Sequence, residues 1–327
     1  MTVSLKKRKR THPGTSSPQP AAQRSLIAVL SRKRSLYSTR RLVTAIQERG
    51  HRPIVLDALR CNLILGNNLP RMLYRGVEIR GIAVAIPRIG ASITEYGLAV
   101  VNHLDMMGIP ILNNAIAIAR SRDKFRCLQM LSKFGVSVPR TVVAGDRSKV
   151  FELIVEVGGL PAVLKLIRGT QGVGVMLASS VAELQSILST FGTLGERIVL
   201  QEFVREAEGK DIRALVVGNQ VVGTMQRRAK RGEFRSNIHR GGEGVTIDLP
   251  MEYASAAVRA AQVIGLEVAG VDMLESNEGP KVLEVNSSPG FKGLEKATGT
   301  DIAGLIIEHA LRFRALKPAE VAQPMKA

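Results

Sequence analysis

The sequence predicts an α/β protein whose C-terminal part turns to α+β, and two patterns carry that expectation. Over residues 25–113, short apolar runs alternate with stretches of helical spacing, the order of a parallel strand–helix unit. Beyond about residue 205 the apolar runs come in pairs joined by Gly or Asn, as antiparallel hairpins do. A chain of 327 residues with 45% hydrophobic content can bury one large core or two to three smaller ones.

The elements follow in order. LIAVL (26–30) is a strand, SLYSTRRLVTAIQERG (35–50) a helix closed by Gly50, and HRPIVLDAL (51–59) a strand again. GIAVAIPRIG (81–90) is a strand stopped by Pro and Gly, TEYGLAVVNHLDMMG (94–108) a helix, and IPILN (109–113) extended. A single longer helix is predicted over 115–135, a strand over 141–145 and a helix through VFELIVEVGG (150–159). PAVLKLIRGTQGVGVML (161–177) reads as strand, glycine loop, strand; 181–192 is helical and RIVLQEFV (197–204) a strand. RALVVGNQVVGTMQRR (213–228) and GVDMLESNEGPKVLEVN (270–286) are hairpins, with helices at 251–265 and 301–316. No fixed-period repeat is present.

Composition excludes several classes. There is no run of some 18 apolar residues, which argues against a membrane span, and LIAVL is too short for the core of a signal peptide. Cys61 and Cys127 stand far apart without a CxxC partner, so neither a disulfide framework nor a zinc site is expected, and a reducing cytoplasm fits. The absence of Trp and the scarcity of aromatics argue against base-stacking platforms. The net charge is +18, six of it on residues 1–24, a segment of basic then Pro/Ser/Thr-rich composition expected to be a disordered arm. The charge on the body suits an acidic or RNA-rich partner.

Four motifs carry chemistry. In KVLEVNSSPG (281–290), Glu284 and Asn286 interrupt an apolar strand two residues apart, on one face, with Leu283 and Val285 expected on the other. Hairpin pairing can bring Asp272 beside them, and two carboxylates with an amide are hard oxygen ligands for Mg²⁺ or Mn²⁺. Lys165 sits inside an apolar strand, where an uncompensated ammonium is costly, and Gly169, Gly172 and Gly174 follow it. That order makes a candidate phosphate cradle, although the glycines alone equally describe a hairpin turn. Asp211 and Arg213 share a strand face after Gln201 and Glu202, as a surface ion pair also would. RRAKRGEFRSNIHRGG (227–242) has no apolar period and reads as a solvated or anion-handling loop, with Arg235, His239 and Arg240 as candidates.

The order of these motifs, with LSRKRSLYSTRRL (30–42), IPRIGASIT (86–94), IARSRDKFRCLQML (118–131) and TGTDIAGLII (298–307), resembles the RimK family of ATP-grasp ligases. The family's enzymes add glutamate to the C-terminus of a small-subunit ribosomal protein. The resemblance implies an ATP-grasp fold with an N-terminal parallel α/β pre-ATP-grasp domain at 25–114. A central subdomain at 115–204, a metal-bearing subdomain at 205–318 and a tail at 319–327 would complete it.

It further implies that Lys124 and Lys165 neutralise ATP phosphates, that Glu202 and Phe203 form the linker read by adenine, and that Asp211 meets the ribose. Arg235, Ser236 and Asn237 would contact ATP from their loop. Asp272, Glu284 and Asn286 would bind two Mg²⁺ or Mn²⁺ ions, and Arg213 would stabilise the transferred phosphoryl group. Glutamate and a ribosomal-protein C-terminus would be the substrates, joined through an acylphosphate. Arg88 is a candidate for holding a substrate carboxylate, set against a purely structural role. A related ligase acting on a small molecule or carrier protein, or a non-catalytic ATP-binding protein on the ribosome, is the alternative. The basic surface leaves room for ribosome or RNA contact, and a homo-oligomer is compatible with the sequence.

Overall fold

Ile27, Ala28, Val29 and Leu30 are fully buried, which makes β1 (Leu26–Leu30) the centre of a parallel sheet covered on both faces. The computed structural model describes residues 24–66, 70–166, 174–192, 198–229 and 243–316. Almost all of the basic arm, the glycine loop as far as Gly172, the loop bearing Arg235, Ser236, Asn237, His239 and Arg240, and the tail therefore lie outside the described residues.

From β1 the chain passes through α1 (Tyr37–Glu48), which buries Leu42, Val43, Ala45 and Ile46, and returns in β2 (Arg52–Leu56). A small antiparallel sheet of β3 (Cys61–Ile64), β4 (Arg71–Tyr74) and β5 (Val77–Glu78) follows; these strands are too short to show alternation in sequence. β6 (Ile82–Pro87) completes the parallel order β2-β1-β6, and α2 (Thr94–Met106) adds Val100, Val101 and Leu104 to the same core. The stretch at 109–113 contributes one bridge, Ile111 to Ala85, rather than a strand.

The single helix expected over 115–135 is two. α3 (Ala115–Arg122) starts from Asn114, whose side chain accepts from the Ala117 N–H at 2.8 Å. Asp123 then leaves helical geometry and its carboxylate accepts from the Arg126 N–H at 3.0 Å, starting α4 (Lys124–Lys133). An Asp offered as a cap outcompetes continuation of the helix. The break makes Lys124 the first residue of α4.

β7 (Thr141–Ala144) leads to α5 (Val150–Leu153), much shorter than the expected helix. β-branched Ile154, Val155 and Val157 tighten the chain into a 3₁₀ turn, which Gly158 and Gly159 end at φ 92° and 80°. β8 (Ala162–Leu166), β9 (Val175–Ala178), α6 (Val181–Gly192) and β10 (Ile198–Glu202) complete this lobe, whose antiparallel order is β7-β10-β8-β9.

The last lobe contains β11 (Lys210–Val217), β12 (Gln220–Arg228), β13 (Glu243–Val245), α7 (Met251–Ile264), β14 (Val268–Leu274) and β15 (Lys281–Asn286). Its antiparallel sheet runs β13-β12-β11-β14-β15, and α8 (Lys292–Thr298) and α9 (Ile302–Leu316) follow.

Alternation assigns the two faces of that sheet. Ile212, Ala214, Val216, Val271 and Met273 pack on α7 and α4, while Leu215, Val217, Met225 and Val268 pack on α9, α1 and the parallel sheet. This second core joins the first and last lobes; each fully buried Ile or Leu in it contributes about 1.5–3 kcal/mol. Among the described residues, no helix is long and apolar enough to cross a membrane.

Candidate active site

The face of the five-stranded sheet that buries Leu215 and Met225 becomes polar toward its other end. Asp272 stands directly opposite Glu284 across β14 and β15, and Gly270 opposite Asn286. The predicted acidic pair is therefore a cross-strand pair, and Asn286 lies on the same face. The phase differs in one respect from simple alternation. A register shift between Asp272 and Met273 leaves Leu283 as an extra residue, so Val282, not Leu283, joins Val285 in the core. Without that bulge, Val282 and Glu284 would share a face.

Arg213 is opposite Asp272 on β11 and donates to it through Nε and Nη2, both at 2.7 Å. Arg227, on β12, donates to both oxygens of its cross-strand partner Asp211 at 2.5 Å and lies 2.9 Å from Asp272 Oδ2. The order Asp211–Arg227–Asp272–Arg213 is a line of alternating charge, and only Arg213 is substantially open to solvent. Burial raises the Asp272 carboxyl, but Arg213 and Arg227 outweigh it and hold Asp272 below the usual carboxylate range.

No site reading of the sequence names Arg227, which both closes the hairpin predicted over 213–228 and opens the stretch read as loop. Arg227 and Arg228 end the strand of that hairpin, and Arg227 is 4% exposed. Asp211, the expected ribose acid, is 5% exposed and bound to Arg227 at both oxygens.

The second antiparallel sheet comes near Glu284 through Lys165 and meets β15 through the Glu202–Lys281 contact. Leu164, Leu200 and Ala144 fill its core on one side, while Lys165, Gln201 and Thr141 share the other. Lys165 Nζ donates to Gln201 Oε1 at 2.5 Å, and Gln201 Nε2 donates to Thr141 Oγ1 at 2.9 Å. Desolvation first, and then the charge of Lys124, pull the Lys165 ammonium down to about 8, with Glu284 opposing them. The two lysines, from β8 and α4, thus converge near Glu284. Gln201 orients Lys165; no charge marks that role in sequence.

At the end of β10 the Glu202 backbone N–H donates to the Arg140 carbonyl at 2.9 Å. Its carboxylate accepts from the Arg140 N–H at 3.0 Å and from Lys281 Nζ at 3.0 and 3.2 Å. Desolvation raises the Glu202 carboxyl, yet those donors hold it below its ordinary value. Lys281, also 3.0 Å from Glu278, ties the linker to the strand that bears Glu284. Phe203 is half-buried and lines a cavity of about 380 Å³ with Arg140, Leu160 and Asn277.

Arg88 is structural. Its Nη2 donates to the carbonyls of Ser288 at 3.4 Å and Pro289 at 2.6 Å, and the guanidinium lies over Phe291. It thereby pins the Ser-Ser-Pro-Gly turn against the end of β6. Burial and neighbouring Arg122 lower its pKa to about 10. Arg122 donates to the Ile89 carbonyl and feels the charge of Glu284. Cys61 and Cys127 are buried free thiols, pushed up mainly by burial to about 11 and about 12, far from a nucleophile's range.

The donor set fits a hard divalent cation: two opposed carboxylates and an amide lie on one sheet face, and Lys165 feels the charge of both Glu284 and Lys124. Among the described residues no group of three or more His, Cys, Asp or Glu is placed to hold a metal ion, so the set here is two carboxylates and one amide.

Residues 26–118 match the RimK pre-ATP-grasp domain and residues 121–310 the RimK-like ATP-grasp domain. A protein of Pseudomonas paraeruginosa named a probable alpha-L-glutamate ligase is 52% identical over 283 residues, covering 86% of this chain and 94% of its own. One of the same name from Methanococcoides burtonii is 50% identical over 283 residues, with the same coverage of 86% and 94%. Among solved structures, the ATP-grasp ligase PsnB complexed with minimal precursor, Mg and ADP superimposes with a TM-score of 0.70 at 21% identity, covering 88% of this chain and 98% of that one. D-alanine–D-alanine ligase from Bacillus anthracis complexed with ATP gives 0.62 at 19% identity, covering 90% and 99%. These last two show the fold, and the family follows from the domain matches and the near relatives. The chain belongs to the RimK family of ATP-grasp ligases and is an ATP-dependent ligase.

Proposed function

We propose that the protein joins glutamate through its amine to the C-terminal carboxylate of a protein acceptor, a small-subunit ribosomal protein, at the expense of ATP. The observation that carries the ligase chemistry is the cross-strand pair Asp272–Glu284, with Arg213 and Arg227 on the same face. The choice of glutamate rests on relatives named as probable glutamate ligases. The ribosomal acceptor rests on the motif resemblance and agrees with a net charge of +18.

The roles divide by position. Lys124 and Lys165 meet the ATP phosphates, with Gln201 holding Lys165 in place. The backbone of Glu202 and Phe203 meets adenine. Each carboxylate oxygen has a second lone pair, so Asp211 can accept from ribose while anchoring Arg227. Arg235, Ser236 and Asn237, which lie outside the described residues, would contact ATP. Asp272, Glu284 and Asn286 would hold Mg²⁺, with Mn²⁺ and a second ion as the finer reading. Bound there, the metal supplies charge neutralisation and polarisation of the γ-phosphoryl group.

Arg213, the more exposed of the two arginines on Asp272, is placed to turn toward charge developing on the transferred phosphoryl group. The acceptor carboxylate attacks that phosphorus and releases ADP, giving an acylphosphate; the glutamate amine then attacks the acyl carbon, loses a proton and expels phosphate. No side-chain nucleophile is needed, and the protein positions the reactants and keeps water out. The test is ADP release with ATP and Mg²⁺, with and without glutamate and with a ribosomal-protein C-terminal peptide. Glutamate- and peptide-dependent release supports the reading, and ADP release that ignores glutamate with every acceptor overturns it.

A further inference from the structure

A second basic site lies away from the ATP cleft, on the first lobe. At the carboxyl ends of β1 and β2 a cavity of about 420 Å³ is lined by Arg32, Arg34, Arg60 and Arg75, together with Asp57 and Tyr74. Asp57 is the one acid of this lining, and its oxygens are already engaged. It lies 3.1 Å from Arg32 Nε and 3.8 Å from Arg60 Nε, and it accepts from the Leu59 N–H at 3.2 Å. Arg34 and Arg75 have no carboxylate partner among the described residues, and Arg75 lies over the Tyr74 ring. Four guanidiniums around one occupied carboxylate leave a cavity with surplus positive charge. Solvent screens these exposed guanidiniums from one another, and an anion entering among them would still be attracted by the surplus.

The placement of Arg75 strengthens this. It occupies the first position of the two-residue turn between β4 and β5, at φ 52°, with Gly76 at φ 84°. Asn or Gly is favoured there, and an L side chain of any length pays to adopt it. An arginine in that position is presented at the cavity mouth at a conformational cost that folding alone does not require.

The position relative to the ATP cleft identifies the kind of anion. In open α/β sheets, ligands bind beyond the carboxyl ends of the strands. That edge is shared: Ser31 follows β1, Asp57 follows β2, and Arg88 follows β6 and holds Ser288 and Pro289 beside the acidic pair. Neighbouring strands lie about 4.8 Å apart, so the cavity opens roughly 5–10 Å along the edge from Arg88. A short extended peptide with its C-terminus in the cleft spans that distance in about two to three residues. Guanidinium forks match carboxylates in bidentate fashion, and the lone aromatic, already stacked with Arg75, provides no platform for bases.

We infer that this four-arginine cavity is a subsite for the acidic side chains of the acceptor tail, upstream of the C-terminal carboxylate that reacts. The inference rests on the proposed glutamate-ligase reading, under which each addition leaves one more carboxylate on the acceptor. A tail that has gained a glutamate then becomes a better ligand for the cavity, and successive addition is favoured over release.

The experiment uses the full chain and two exposed arginines outside the ATP cleft, as Arg34→Ala/Arg75→Ala. A fluorescein-labelled peptide ending in four glutamates is titrated by anisotropy without ATP or glutamate, beside a peptide ending in four glutamines. The expected result is at least about tenfold weaker binding of the acidic peptide by the variant, with the glutamine peptide unaffected. Equal acidic-peptide affinity in both proteins overturns the inference. So does displacement of the peptide by a short single-stranded RNA that binds more tightly and loses its affinity in the variant, since the cavity would then serve nucleic acid. With an acceptor peptide that has no acidic residue upstream of its C-terminus, mass spectra after turnover should show fewer added glutamates with the variant at an unchanged first-addition rate. Because binding is read without turnover, a protein that binds the acidic peptide through these arginines yet ligates no glutamate would refute the reaction and not the cavity.

Discussion

Arg227 and Asp211 are cross-strand partners on β12 and β11, joined by two hydrogen bonds of 2.5 Å, and the same guanidinium lies 2.9 Å from Asp272. One buried arginine thus couples the acid assigned to the ribose with an acid assigned to the metal. Removing it would leave two buried carboxylates short of their counter-charge. Arg227→Met is expected to destabilise the metal-free protein by about 3–5 kcal/mol, the cost of breaking a buried pair from one side. Urea denaturation measures this. Mg²⁺ should then raise the variant's stability more than the wild type's, since the cation replaces the missing charge beside Asp272.

In its proposed role at the ATP phosphates, Lys165 would give nucleotide binding a pH dependence. Its pKa is drawn from the ordinary 10.5 to about 8, so between these values the unfolded chain binds more protons than the folded one. Stability therefore rises with pH across that window. ATP phosphates reverse the cause by favouring the ammonium, so ATP binding at a pH of about 8.5 should take up a proton. Titration calorimetry in two buffers of different ionisation enthalpy reads that uptake directly. It should vanish in Lys165→Arg, which stays charged.

Glu284→Gln keeps the size and shape of the side chain while removing its charge and turning one acceptor oxygen into an amide donor. Its fold should survive, with an unchanged circular dichroism spectrum. Metal-dependent ADP release should fall by more than about 100-fold, because loss of an outer-sphere partner alone costs about 10–100-fold. Wild-type turnover would remove Glu284 from the metal site.

Lys281→Met severs the tie between the Glu202 linker and β15. The expected effect is on nucleotide binding: KM for ATP rises several-fold while kcat stays within about twofold, as for a lost ground-state contact. In the wild type, Glu202 is held below its ordinary value, so the stability it supplies is present above that value and fades as pH falls through the lowered one. In Lys281→Met this acid limb should flatten in a stability profile.

The metal-type acids were legible in the sequence because period two in a strand is a local rule: Glu284 and Asn286 interrupt an apolar run, and the hairpin brings Asp272 opposite. Lys165 was legible for the same reason, as a charge inside an apolar strand. The alternating units at 25–113 and the paired hairpins further on likewise announced the two kinds of sheet. Local rules failed where a neighbour in space decided the outcome. The break at Asp123 required a cap to defeat a continuous helical pattern, and the bulge at Leu283 shifted the phase of β15 to suit the core beneath it. Arg227 stands sixteen residues from Asp211 and forty-five from Asp272, and only strand register brings the three together. The four-arginine cavity is likewise assembled from three separate connections whose shared edge exists only once the parallel sheet has formed. Sequence by itself determined which side chains could bear charge on which face. The tertiary structure alone decided which opposite charges would meet, because register and strand order, set by the packing of distant apolar residues, place those faces against one another.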